Sequence, residues 1–290
     1  MDILLALVAA FLFALGLVLQ EKAASSLPAE AVGKGFLVRL ARDPVWLLGL
    51  LAQGLGFVAQ AVALGIGRMV IVQPLLVASI VFALPLGRLL EHRQISREEL
   101  AGAVLVTAGL GALLVVSKPD AGSDDAPLRT WALVGGAAIG LAVLLFALAR
   151  GRPPALRAGL LGTAGGILFG LSAALTKTTV SSLDEGLGAV FGSWPVYALV
   201  AVSIPAFWLE QAALQTGALA AAVATTMAFD PLSSLVFGVV IFDEALHETA
   251  AGYVLAALTL AVTLAGLVIL ARAKGEEAPP AGSEPVPEPA

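Results

Sequence analysis

Nine stretches of this chain are each apolar over close to the ~20 residues that a helix needs to cross a bilayer. They are Ile3–Leu19, Val45–Leu64, Met69–Leu90, Leu100–Val116, Trp131–Ala149, Gly159–Leu175, Trp194–Leu214, Ala218–Phe242 and Ala250–Leu270. This feature excludes most folds. In hydrocarbon every backbone polar group must be satisfied inside the protein, which leaves helices and closed barrels, and runs this long read as helices. The expected fold class is an all-α, polytopic membrane helix bundle with about nine transmembrane helices. Composition agrees where it matters: 59% of the 290 residues are hydrophobic and 13% charged, too few for the surface of a soluble domain. There is no cysteine, which excludes disulfides, thiolate metal sites and cysteine nucleophiles together.

The first run follows Met1-Asp2 with no basic segment before it, so it reads as a retained span and not a signal peptide. Prolines fall inside three runs: Pro74 and Pro85, Pro205, and Pro231. A bundle tolerates them because neighbouring helices re-satisfy the freed backbone groups. With nine spans, Lys22, Lys34, Arg39, Arg42, Arg88, Arg93, Arg97, Arg150, Arg152, Arg157, Arg272 and Lys274 share one face. Arg68, Lys118, Arg129 and Lys177 share the other. The positive-inside rule then predicts a multi-pass protein of the cell (plasma or inner) membrane, N-terminus outside and C-terminus cytoplasmic.

The sequence also repeats itself. Leu12-Phe13-Ala14-Leu15 through Ser25-Ser26-Leu27 matches Leu168-Phe169-Gly170-Leu171 through Ser181-Ser182-Leu183. Gln73-Pro74-Leu75 then aligns with Asp230-Pro231-Leu232, Val81-Phe82 with Val236-Phe237, and Val104-Leu105 with Val254-Leu255. Matched spans 1 and 6 are separated by an odd number of crossings, so the copies enter from opposite faces as an inverted repeat, a common plan for secondary transporters. The expected organisation is a first repeat over 1–149 (spans 1–5, with a linker over 117–130), a second over 158–272 (spans 6–9), and a disordered tail over 273–290.

Gln60-Ala-Val-Ala-Leu, Gln73-Pro74-Leu75, Leu90-Glu91 and Ala101-Gly102 resemble an EamA-like half of the drug/metabolite transporter (DMT) superfamily. Gln211-Ala-Ala-Leu, Asp230-Pro231-Leu232, Phe242-Asp243-Glu244 and Ala251-Gly252 resemble a second half. The resemblance covers nearly all of residues 1–272. Nine spans and an outside N-terminus are similar to the NIPA-type magnesium transporter branch. It implies transport of a small solute or ion by alternating access, with a divalent cation such as magnesium as the favoured substrate.

Polar residues inside the spans are the candidates for a site. Asp230 sits in the middle of the eighth span, where a charge costs at least ~2.5 kcal/mol, so it must face the bundle, be protonated or hold a cation. Pro231 frees the carbonyl of Met227 beside it, and Pro74 frees that of Val70 beside Gln73. Carbonyls plus a carboxylate make an oxygen-rich cation site; the bland alternative is a proline kink with a hydrogen-bonded acid. Glu210 lies nearer the inner face by helix counting, as proton relay, cation ligand or interfacial acid. The candidate substrate or ion site is therefore Asp230, Gln73, Gln60, Glu210 and Gln211, with Pro74 and Pro231 as hinges and Asp230 as the possible magnesium ligand. No other cofactor is expected.

Several other features have a plainer reading. Polar stripes at Gly49, Gln53, Gly56 and Gln60, at Ser172, Thr176 and Thr179, and at Thr226, Asp230 and Ser233 either line a pathway or glue helices. Gly162, Gly166 and Gly170 read as close helix packing, and Gly136 with Gly140 as a second case. Lys177 reads as a snorkelling residue at a span end. Asp243-Glu244 and Glu98-Glu99 read as solvated caps. Phe82, Phe229 and Phe237 either line an organic pocket or pack.

No enzyme is expected. The only histidines, His92 and His247, fall on opposite faces, and no phosphate-binding glycine loop is present. Two alternatives to cation transport stay open: a proton-coupled exporter of small organic metabolites or drugs, and a non-transporting scaffold or sensor. Expected partners are the lipid bilayer and the solute, with no nucleic acid; a homodimer stays open.

Overall fold

The computed structural model describes residues 1–25, 42–91, 95–116, 122–123, 125–216, 218–244 and 249–276, and they contain helices and no strand. The helices are α1 (Asp2–Ser25), α2 (Pro44–Ile66), α3 (Met69–Leu76), α4 (Ala78–Glu91), α5 (Arg97–Val116) and α6 (Leu128–Leu148). They continue with α7 (Pro154–Ser181), α8 (Leu187–Gly192), α9 (Trp194–Leu214), α10 (Leu219–Phe242) and α11 (Ala250–Glu276). Among the described residues eight candidate spans are long and apolar enough to cross a membrane, with α3 and α4 together making one of them. The third of the nine expected stretches is the α3–α4 pair and each of the others coincides with one helix, but α5, the fourth, is not among the eight candidate spans.

Local chemistry sets the helix starts. Asp43 caps α2, accepting from the backbone N–H groups of Val45 (2.8 Å) and Trp46 (3.1 Å), with Pro44 at the first position. Ser96 and Glu99 form a reciprocal capping box at α5: Glu99 N–H donates to Ser96 Oγ at 3.1 Å, and Ser96 N–H to Glu99 Oε2 at 2.9 Å. Glu99 is buried and so is not the solvated cap expected of it. The two proline spans matched in the repeat differ. The third span breaks at Val77, just after Pro74, into α3 and α4, whereas Pro231 sits within an unbroken α10.

Packing follows small residues. α1 packs on α2 and on the α3–α4 pair, and α7 packs on α9 and α10 in the same way. α5 crosses α11, and α3 contacts α10. α6 packs on α7 and, less, on α10, so the fifth span sits with the second group of helices. The linker read over 117–130 ends earlier, because α6 starts at Leu128; α7 starts at Pro154 and α11 runs on to Glu276, so helix replaces part of the expected tail. The remainder of that tail, His92 and His247 lie outside the described residues.

α7 is the central post. A Cβ at Gly166 would lie 2.8 Å from the Thr226 carbonyl oxygen, 2.9 Å from the Asp230 nitrogen and 3.0 Å from the Phe229 Cβ. Gly162 and Gly170 meet α10 as closely, while Thr226 and Ser233 hydroxyls each donate to α7 carbonyls at 3.3 Å. Here the polar residues glue helices. Gly49, Gln53 and Gly56 do likewise, packing against Gly16, Gln20 and Phe13 of α1. A Cβ at Gly136 or Gly140 would meet nothing within 4 Å among the described residues, so the second motif read from sequence is not a packing contact within this chain. Gly166→Ala should therefore destabilise the protein by about 1–3 kcal/mol through overpacking against backbone. Gly136→Ala should be close to neutral. Thermal unfolding in detergent compares the two, and equal midpoints would refute the packing assignment.

Candidate functional site

The two intramembrane acids come together on α7. The backbone of Glu210 on α9 approaches Gly165, and that of Asp230 on α10 approaches Gly166, so adjacent glycines place both acids at one level. Helix counting had set Glu210 nearer the inner face; the close α7 contacts remove that offset. Both acids are half-buried. Ser234, itself fully buried, donates from its hydroxyl to Asp230 Oδ1 at 3.4 Å.

The other candidates lie elsewhere. Gln73 is buried on α3, and its amide nitrogen has no protein partner among the described residues. Gln60 is half-buried on α2. Gln211 lines a cavity with Arg150 and Arg157. Phe237 is core, Phe229 is exposed, and Phe82 stacks edge-on against Phe11 at 5.9 Å. Among the described residues no group of three or more His, Asp or Glu side chains forms a metal cage. A cation here would depend on two carboxylates, backbone carbonyls and retained water, a set that suits a partly hydrated ion.

A second centre was missed by the sequence reading. Lys177 and Glu244 form an ion pair with side chains 5% and 0% exposed, which overturns both the snorkelling lysine and the solvated acid. Lys177 Nζ also donates to the Gly67 carbonyl at 3.2 Å and lies 4.8 Å from the Phe242 ring centroid. Glu244 Oε1 accepts from Met69 N–H at 3.0 Å and Oε2 from Val70 N–H at 2.9 Å. α3 has no side-chain cap from its own Arg68, so Glu244 supplies one from more than 170 residues away and meets the positive end of the helix dipole.

The chain bends to deliver that carboxylate. Asp243 adopts a left-handed conformation (φ 54°, ψ 32°) at the end of α10, and Glu244 N–H returns to the Gly238 carbonyl at 3.0 Å. Gly238 leaves the space: a Cβ there would sit 2.9 Å from Glu244 Oε2. Ser123 N–H donates to the Phe242 carbonyl at 2.6 Å. Trp131 stacks edge-on with Phe242 and Trp194, and its indole N–H donates to Asp125 at 3.0 Å. One local signal existed: Lys177 follows Ala173-Ala174-Leu175 with no helix breaker before Ser181, which places it inside a helix and not at its end.

These helices and their buried charges define an integral, multi-pass α-helical membrane protein. The chain is similar to an uncharacterized protein of Corynebacterium glutamicum, 27% identical over 287 residues that cover 97% of each chain. No family profile matches it. No solved structure matches it either.

Proposed function

We propose that the protein is a secondary transporter of the drug/metabolite type, built from an inverted repeat and working by alternating access. The observation that carries this reading is the placement of Asp230 and Glu210 at one level of α7, where no basic side chain is paired with either acid among the described residues. Intramembrane acids that face a bundle interior mark ion or proton pathways. Gln73 supports it, because a buried amide donor with no protein partner among the described residues can hydrogen-bond a solute or its water. The repeat is supported by matching neighbours: α1 with α2 and α3–α4, α7 with α9 and α10. Two contacts join mates in the repeat alignment, α5 with α11 and α3 with α10, as expected around a two-fold axis in the membrane plane.

Magnesium is the favoured substrate, held by Asp230 with Glu210 and bundle carbonyls while keeping part of its water shell. Gln73, Gln60 and Gln211 would line the path, and Pro74 and Pro231 would be its hinges. The N-terminus is outside and the C-terminus cytoplasmic. In this scheme the Lys177–Glu244 centre joins the two halves at the N-terminal face, since Gly67, Met69 and Val70 belong to the first half and the ion pair to the second. The deciding experiment is flux in proteoliposomes carrying an internal magnesium indicator, against empty liposomes. Magnesium entry well above the empty control is the expected result. No magnesium entry, with proton-linked movement of an organic solute, would move the assignment to a metabolite exporter; movement of neither would leave a scaffold.

A further inference from the structure

A cavity of about 520 Å³ plays no part in the transport scheme apart from Gln211. It lies between α6 and α9 where both pack on α7, so α7 is its floor. Its two walls meet through Phe146 and Trp208, whose rings are edge-on with centroids 5.5 Å apart. Trp208 is 53% exposed on the outer side of the bundle, so this wall faces the bilayer. The other end carries Arg150 and Arg157, one on each side of the turn joining α6 to α7, with Gln211 and Gln215 from the end of α9. The Arg150 guanidinium lies 5.2 Å from the Phe146 ring centroid, which orients it along the groove. Among the described residues no acid lines the cavity and no carboxylate pairs with either arginine.

We propose that this groove binds the phosphate-bearing headgroup of an anionic phospholipid, with an acyl chain lying along Phe146 and Trp208. Guanidinium forks suit phosphate oxygens because they offer paired, planar donors. Gln211 and Gln215 add neutral donors for the remaining headgroup oxygens. The two chemistries of the groove, cationic and polar at one end and aromatic at the other, match the two ends of one amphipathic molecule. A small soluble anion would use only the first. Basic pockets between membrane helices are places where anionic headgroups are held. The inference does not depend on transport, since a scaffold would hold the lipid equally well.

Native mass spectrometry of the purified full-length protein tests it, with dioleoyl-phosphatidylglycerol and dioleoyl-phosphatidylcholine offered at equal concentration. The expected result is a preference for phosphatidylglycerol on the order of tenfold, from two cations acting on one headgroup. R150Q/R157Q should remove that preference, and R150K/R157K should keep part of it, which separates lost charge from lost fold. Excess inorganic phosphate should leave the lipid bound. Equal occupancy by the two lipids, or a preference that survives in R150Q/R157Q, would overturn the proposal. Displacement by phosphate would overturn it too, by assigning the groove to a soluble anion.

Discussion

Asp230→Asn should cut solute flux at least tenfold at matched expression, while the protein still folds and reaches the membrane. A tenfold loss needs only ~1.4 kcal/mol of binding or barrier stabilisation, well within what a desolvated carboxylate supplies. The substitution keeps the shape and an oxygen for Ser234, whose hydroxyl donates to Asp230 Oδ1. It removes the charge alone. If Asp230 is only a kink-associated acid, flux should stay intact and stability should hold or rise, because burying an amide costs less than burying a charge. Gln73→Ala should weaken flux less, since no charge is lost. Full flux in Asp230→Asn would remove the central site assignment and leave Glu210 as the acid to test.

The largest effect on stability is expected at Glu244. Glu244→Ala leaves Lys177 buried without its carboxylate and the first N–H groups of α3 without acceptors. Removing one member of a buried ion pair costs roughly 3–5 kcal/mol, more than removing both charges together. Glu244→Ala should therefore lower the unfolding midpoint sharply, and Lys177→Met combined with Glu244→Gln should restore much of it. A double variant less stable than either single one would show that the pair is not coupled as described.

The helices were legible because bilayer thickness sets a length that hydropathy alone can read. Which faces meet was less so. Ala6, Ala10 and Ala14 of α1 are fully buried at the same spacing as Gly162, Gly166 and Gly170 of α7. This second copy of the packing stripe passed unnoticed because alanine is everywhere in the chain. Gly136 and Gly140 have the same pattern and meet no neighbouring helix among the described residues, so spacing cannot say which face is covered. The acids of the candidate site were found one at a time, each by its cost in lipid, but their shared level depends on how α9 and α10 seat on α7. Lys177 was misjudged because a span ended at Leu175 puts it in the headgroups, whereas α7 runs on to Ser181. Its partner is 67 residues away, and no local rule joins them.

The order of synthesis gives that separation a consequence. α7 leaves the ribosome after α6 but before α9 and α10. Until they arrive, its glycine stripe has little to pack on and Lys177 has no carboxylate. A lone cation within a spanning helix raises the cost of leaving it in lipid. The helix around which the second group is built is thus poorly suited to insertion by itself, and its neutralising partner is almost the last residue of α10's turn to emerge. Chains truncated before Glu244 should therefore be held by the insertion machinery or degraded more readily than chains that include it, which pulse–chase of the two truncations compares.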